Sequence, residues 1–209
     1  MTARASDGRV PGRRGQATRQ RLLECTLAML DTASYRDLKV VDIAREAGTS
    51  PATFYQYFTD VDAAIAELAG DMAADGATRL GGLLEGTRWS GEEAEASVRM
   101  LVTGFLDFWD ANRPLMRVID LKAAEGEGRI RSTRKDLLAG FSNGLAECVQ
   151  RKSLPDAPAN PWAMASVAVT MLVNVAIQRE IFAASEIPDE DMIDAVARLL
   201  LAAVTGTTT

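Results

Sequence analysis

Between Ser50 and Tyr57 the chain sets Ser50, Thr53, Gln56 and Tyr57 within a few residues of one another, with the compact Pro51 and Ala52 beside them. A short helix that enters a DNA major groove presents its N-terminal half and one face to base edges. Gln56 suits an adenine edge, and Ala52 or the Thr53 methyl suits a thymine methyl. Tyr55 and Tyr57 can reach phosphates through their hydroxyls, whereas Phe54 and Phe58 are expected to pack inward against the first and fourth helices. This is hydrogen-bonding and contact chemistry, and it breaks no bond.

What positions these residues is legible around them. Thr18–Thr32 carries Leu22, Leu23, Met29 and Leu30 at the three-to-four spacing of an amphipathic helix. A second helix is expected over Leu38–Ala47, with Val40, Ile43, Ala44 and Ala47 apolar. Gly48-Thr49-Ser50-Pro51 then breaks the chain, and Ser50 is placed to cap a third helix that starts at Pro51 and runs to about Phe58. Helix, tight glycine turn and short helix is the helix-turn-helix layout.

Charge supports this reading. The 209-residue chain has a net charge of −6, but residues 1–60 hold nine Lys/Arg and seven Asp/Glu, which leaves −8 for the rest. Six of the nine basic residues lie in the first 21 positions, at Arg4, Arg9, Arg13, Arg14, Arg19 and Arg21. A basic arm of this kind attracts phosphate and an acidic body faces away from it. The arm is expected to be flexible over 1–16. It resembles no secretory signal, because no apolar run follows the arginines.

Other chemistries are poorly served. There is no histidine, which removes Ser-His-Asp and Cys-His catalysis and histidine zinc sites. Cys25 and Cys148 stand far apart in apolar surroundings and read as free thiols in a reducing compartment. No glycine-rich phosphate loop is present. The chain is expected not to be an enzyme and to need no metal or cofactor.

Nearly every segment reads helical, about nine helices in all, and no alternating strand pattern stands out. Ser90-Gly-Glu-Glu93 has a capping-box pattern. Ala124–Gly128 is an acidic glycine loop and Ser153–Ala159 a proline-rich linker. Asn160 and Pro161 open a long apolar helix, which is expected to be buried rather than membrane-spanning.

VVDIAREAGTSPATFYQYF followed by TDVDAAIAEL closely resembles the DNA-binding segment of the TetR family of bacterial repressors. The matching features are Asp42-Ile43-Ala44, Glu46-Ala47-Gly48, Ser50, Thr53, Tyr55 and Phe58, then a capped fourth helix from about Asp60. The resemblance covers residues 18–70; beyond them it extends to architecture and length. It makes Tyr55 the family's usual phosphate-contacting tyrosine. Two positions depart from the pattern. Lys39 stands where a small hydroxyl residue usually caps the second helix, and is expected to contact phosphate instead. Val61 replaces a lysine near the start of the fourth helix. Arg13 and Arg14, reaching from the arm toward a minor groove, are expected to compensate, with Arg45 as a further backbone contact.

The resemblance implies a cytoplasmic all-α protein in two parts: a DNA-binding domain over 17–60 and an effector-binding and dimerisation domain over 61–209. It implies a homodimer through the last two helices, about 161–184 and 189–204, with Val167, Met192, Val196, Leu199 and Leu200 as interface residues. Two recognition helices about 34–36 Å apart would then read successive major grooves of a palindromic operator. Phe105, Phe108, Trp109, Met116, Ile119, Phe141, Leu145 and Met171 are expected to line an effector site for an acyl chain, a terpenoid or sterol, or an aromatic drug. Asn174 and Gln178 would supply its polar contacts, as part of a stripe with Ser166 and Thr170. Arg113, Arg117 and Lys122 are surface charges in this reading, or anchors of an acidic head group if they face inward. Effector binding is expected to tilt the fourth helix, part the recognition helices and release DNA. The alternative is a helical small-molecule-binding protein without specific DNA binding.

Overall fold

A computed structural model describes residues 12–126, 128–152 and 160–206. Arg4 and Arg9 of the basic arm and the Ser153–Ala159 linker lie outside them. Among the described residues there are nine α-helices and no strand: α1 (Arg13–Thr32), α2 (Val40–Glu46), α3 (Pro51–Tyr57), α4 (Val61–Gly86), α5 (Ala94–Ala111), α6 (Arg113–Ala124), α7 (Gly128–Lys152), α8 (Pro161–Ala184) and α9 (Asp189–Thr205). A 3-10 turn, Tyr35–Asp37, precedes α2.

Helix starts follow the local chemistry. The Ser50 hydroxyl accepts the Thr53 amide at 3.2 Å and Pro51 occupies the first turn of α3. The Asp60 carboxylate accepts the Ala63 amide at 2.7 Å at the head of α4. Asn160 accepts the amides of Trp162 and Ala163 at 3.0 and 3.2 Å. The helix expected to be capped at Ser90 starts later, at Ala94: Glu93 stands at its N-cap without a capping bond, and its carboxylate pairs with Arg88. The second helix is shorter than its apolar pattern suggests, because Leu38 and Lys39 are extended and hand the chain from the 3-10 turn to α2. The first helix is longer, so Arg13 and Arg14 form its first turn rather than a flexible arm.

The chain forms two compact units. The first comprises residues 1–72 and 113–133, so α6 joins α1–α3 and the first half of α4. In this unit α1 packs on α2, α3 and α6. Its core holds Leu22, Leu23, Ile43, Ala44, Phe54, Phe58 and Ile65, all at most 3% exposed.

The second unit comprises 73–112 and 134–209, and α5 is its hub, packed on α8 and α9. Phe105 stacks on Trp109 with ring centroids 6.1 Å apart and tilts against Phe141 at 5.3 Å. Gly76 lets α4 approach these helices closely. A Cβ there would overlap Leu137 Cδ1 and stand 2.5 Å from Phe108 Cζ.

Arg179 on α8 ties the unit together by pairing with Asp110 on α5 and Asp189 on α9. The Arg179 hydrogen bond, working against a smaller burial effect, holds the Asp189 carboxyl below its ordinary range, and its own pKa is raised chiefly by that bond. A depressed carboxylate adds stability above its unfolded pKa of about 3.9, and that share fades as pH falls through the folded value. Arg179→Gln is therefore expected to lower the urea midpoint at pH 7 and to shrink the difference between pH 7 and pH 3. An unchanged difference would show that the pair adds no pH-dependent stability.

Candidate nucleic-acid interface

The turn between α2 and α3 depends on Gly48, whose φ of +67° lies in the left-handed region that glycine enters without steric cost. The Gly48 amide donates to Arg45 O and the Thr49 amide to Ala44 O, closing α2 before the chain reverses. Phe54 is fully buried and Phe58 nearly so, with their rings 5.4 Å apart. Phe54 anchors the inner side of α3 and Phe58, extended just past its end, packs against it, so the other side of the helix is turned outward.

That outward side carries most of the residues singled out from sequence. Ser50, Pro51, Ala52, Tyr55 and Gln56 are exposed, and Thr53 and Tyr57 are half-buried. Lys39 is exposed beside them and gives the first turn of α2 no capping bond. Arg45 is also exposed, but its guanidinium already holds Asp42 at 2.7 Å. An exposed pair of this kind contributes little stability and opens at small cost toward a phosphate. Arg13 and Arg14 are exposed at the head of α1. Both oppose the helix dipole there, an unfavourable placement that a nearby phosphate would relieve.

Arg19 differs from its neighbours in the basic stretch. Its guanidinium lies 5.1 Å from the centre of the Phe58 ring and pairs with Glu67 on α4. It ties α1 to Phe58, just past α3, and to α4, so it is not part of a free basic arm.

A second group was not anticipated from sequence. Lys122 on α6 is only 2% exposed. Its ammonium is 3.0 Å from Asp62 on α4 and 4.6 Å from the centre of the Tyr35 ring. The Tyr35 hydroxyl donates to the same carboxylate. Burial pushes the Asp62 carboxyl up, but the hydrogen bonds from Tyr35 and Lys122 outweigh it, so the net shift is downward. Burial and the bond to Asp62 raise the Tyr35 phenol. Lys122 is thus neither a surface charge nor placed as a head-group anchor. Its only sequence signal is a lone cation among apolar positions of α6, which does not announce a partner sixty residues away.

In the second unit Phe105, Phe108, Trp109, Phe141 and Leu145 are buried together, and Met171 is half-buried. Met116 and Ile119 are buried too, but they belong to the first unit. Asn174 and Gln178 do not join the aromatic cluster. Both are exposed, as are Ser166 and Thr170, so the polar stripe runs along the outer face of α8. The Asn174 amide donates to Thr170 O at 2.9 Å and the Thr170 hydroxyl to Ser166 O at 2.8 Å, which satisfies them locally.

The same face carries Val167 at 67%, Ile181 at 60% and Trp162 at 54% exposure, and Leu199 of α9 is also exposed. By contrast Met192, Val196 and Leu200, expected at an interface, are buried within this chain, where α9 packs on α5 and α8. The apolar positions of α9 thus divide between two faces. The α8 segment is long and apolar enough to cross a membrane by length and composition, but barely a quarter of it is buried. Its Arg179 pairs and its packing on α5 and α9 mark it as part of a helical domain.

Comparison with known proteins fits this geometry. Residues 22–69 match the family model described as bacterial regulatory proteins of the tetR family. Residues 80–209 match the tetracyclin repressor-like C-terminal domain. A solved structure from Mesorhizobium loti MAFF303099, named for the TetR family, superposes with a TM-score of 0.70 at 17% identity, covering 93% of this chain and 98% of that one. The fatty acid degradation regulator FadR from Bacillus halodurans gives 0.65 at 16% identity, covering 92% and 97%. The MbdR regulator from Azoarcus sp. CIB gives 0.64 at 16% identity, covering 92% and 100%. With a helix-turn-helix that turns its polar face outward and family matches over residues 22–69 and 80–209, the chain belongs to the TetR family of bacterial transcriptional regulators.

Proposed function

We propose that this regulator is a cytoplasmic repressor that binds a palindromic operator as a homodimer and is released by a small apolar or amphipathic effector. The observation that carries the DNA-binding part is the orientation of α3: Phe54 and Phe58 inward, and Ser50, Pro51, Ala52, Tyr55 and Gln56 outward. In this reading Gln56, Ala52 and Thr53 meet base edges. Tyr55, Tyr57 and Ser50 meet the backbone, joined by Lys39, Arg45, Arg13 and Arg14.

The dimer rests on the outer face of α8 with Leu199 of α9. Val167, Ile177, Ile181 and Trp162 leave an apolar strip in water, and a patch of this kind marks an interaction surface. Asn174 and Gln178 lie on the same face, where a partner subunit is the nearer reading than an effector. The effector class rests on the aromatic cluster of Phe105, Phe108, Trp109, Phe141 and Leu145. Release requires the effector to bind the non-binding state more tightly than the DNA-competent one, since equal affinity shifts nothing.

Selection from a random-sequence duplex library with the full chain tests the reading. The expected product is an inverted repeat whose half-sites lie about one helical turn apart. Recovery of no enriched sequence would leave the chain as a helical small-molecule-binding protein.

A further inference from the structure

Lys122 is the one charged side chain found buried among the residues whose burial is described, at 2% exposure. A buried ammonium is costly unless it is paired, and losing its partner leaves an uncompensated charge. Its partners are informative for where they sit. Tyr35 belongs to the 3-10 turn just before α2, and Asp62 to the first turn of α4 just after α3. One side chain of α6 therefore holds both ends of the 38–60 segment that forms the helix-turn-helix. Beside it Arg36 of the same turn pairs with Glu125, just past α6, at 2.6 Å. All of these residues lie in one compact unit.

We propose that Lys122 is a positioning residue for DNA reading: by clamping Tyr35 and Asp62 it fixes how the helix-turn-helix is held between its flanking elements, and so sets DNA affinity from a buried site that no phosphate reaches. The proposal rests on the DNA-binding reading above for its consequence, but not for the clamp itself. It makes the end of α6 a handle on the recognition helix.

The test uses the full-length Lys122→Met protein, which keeps the apolar stem and removes the charge. Amide hydrogen exchange without DNA is expected to speed up across residues 35–62 and to stay unchanged in α8 and α9. Affinity for the duplex that the unaltered protein selects is expected to fall about tenfold, a modest coupling energy, with the salt dependence unchanged because phosphate contacts are the same in number. A lower thermal midpoint with unaltered affinity well below that midpoint would mean packing alone, and would overturn the proposal. Unaltered exchange over 35–62 would overturn it whatever the DNA result. If the unaltered protein selects no duplex, the DNA-binding reading fails while the exchange experiment still decides the clamp. Tyr35→Phe, which keeps the ring over Lys122 and deletes only the hydroxyl with its bonds to Asp62 and Lys122, guards against misfolding. It is expected to shift both measurements the same way, with about a threefold loss of affinity, and no shift in either would also overturn the proposal.

Discussion

Replacing Phe54 by alanine is expected to destabilise the first unit by about 3–5 kcal/mol and to abolish DNA binding. The ring is fully buried, packs 5.4 Å from Phe58 and supports Tyr55 edge-on at 6.0 Å. A seven-residue helix holds too few turns to persist by itself, so α3 exists because this side is anchored. A loss of that size is comparable to the whole stability of a small domain. Tyr55→Ala, one residue on, is the contrast. Tyr55 is 53% exposed, so its truncation is expected to change stability by less than about 0.5 kcal/mol, yet to weaken DNA binding. Urea unfolding followed by DNA titration of both variants separates the two roles. Equal stability losses would place Tyr55 in the core and remove it from the interface.

The second large effect concerns the outer face of α8. Val167→Glu combined with Ile181→Glu puts two carboxylates into the apolar strip. If that strip is closed by a second copy, the variant is expected to sediment as a monomer. Because both side chains are mostly exposed in the single chain, its fold should survive. Affinity for a two-half-site duplex should then fall by about 10²–10⁴, the advantage that linking two binding modules confers. Affinity for a single half-site should barely move. A variant that sediments like the unaltered protein would send the dimer surface elsewhere. Loss of binding to a half-site would point to damage in the DNA-binding unit instead.

What could be read in the sequence was local. Ser50-Pro51 and Asn160-Pro161 announce helix starts because a capping oxygen and a proline at the first turn act on neighbouring atoms. Gly48 announces a left-handed turn for the same reason. The inward side of Phe54 follows from helical spacing, and the start of α8 from its Asn160-Pro161 break. What was hidden depends on contacts across the chain. The apolar spacing of α9 places Met192, Val196 and Leu200 on one side, but cannot say whether that side meets α5 or a second subunit. The polar series on α8 has a regular spacing and no indication of its direction, since the helix is apolar nearly all round. Arg13, Arg14 and Arg19 look alike as charges, yet Arg19 is fixed by Glu67 and Phe58. Lys122 is the sharpest case. Its meaning depends on Tyr35 and Asp62, which approach it only once α1, α4 and α6 have assembled.

The outward side of α3 is proposed to recognise DNA sequence-specifically. This is tested most directly by titrating the full chain with its selected duplex and with a scrambled duplex of the same composition across a salt series. Binding to the selected sequence is expected to be about a thousandfold tighter at physiological salt, with affinity for both falling steeply as salt rises. Equal affinities for the two duplexes at every salt concentration would contradict it.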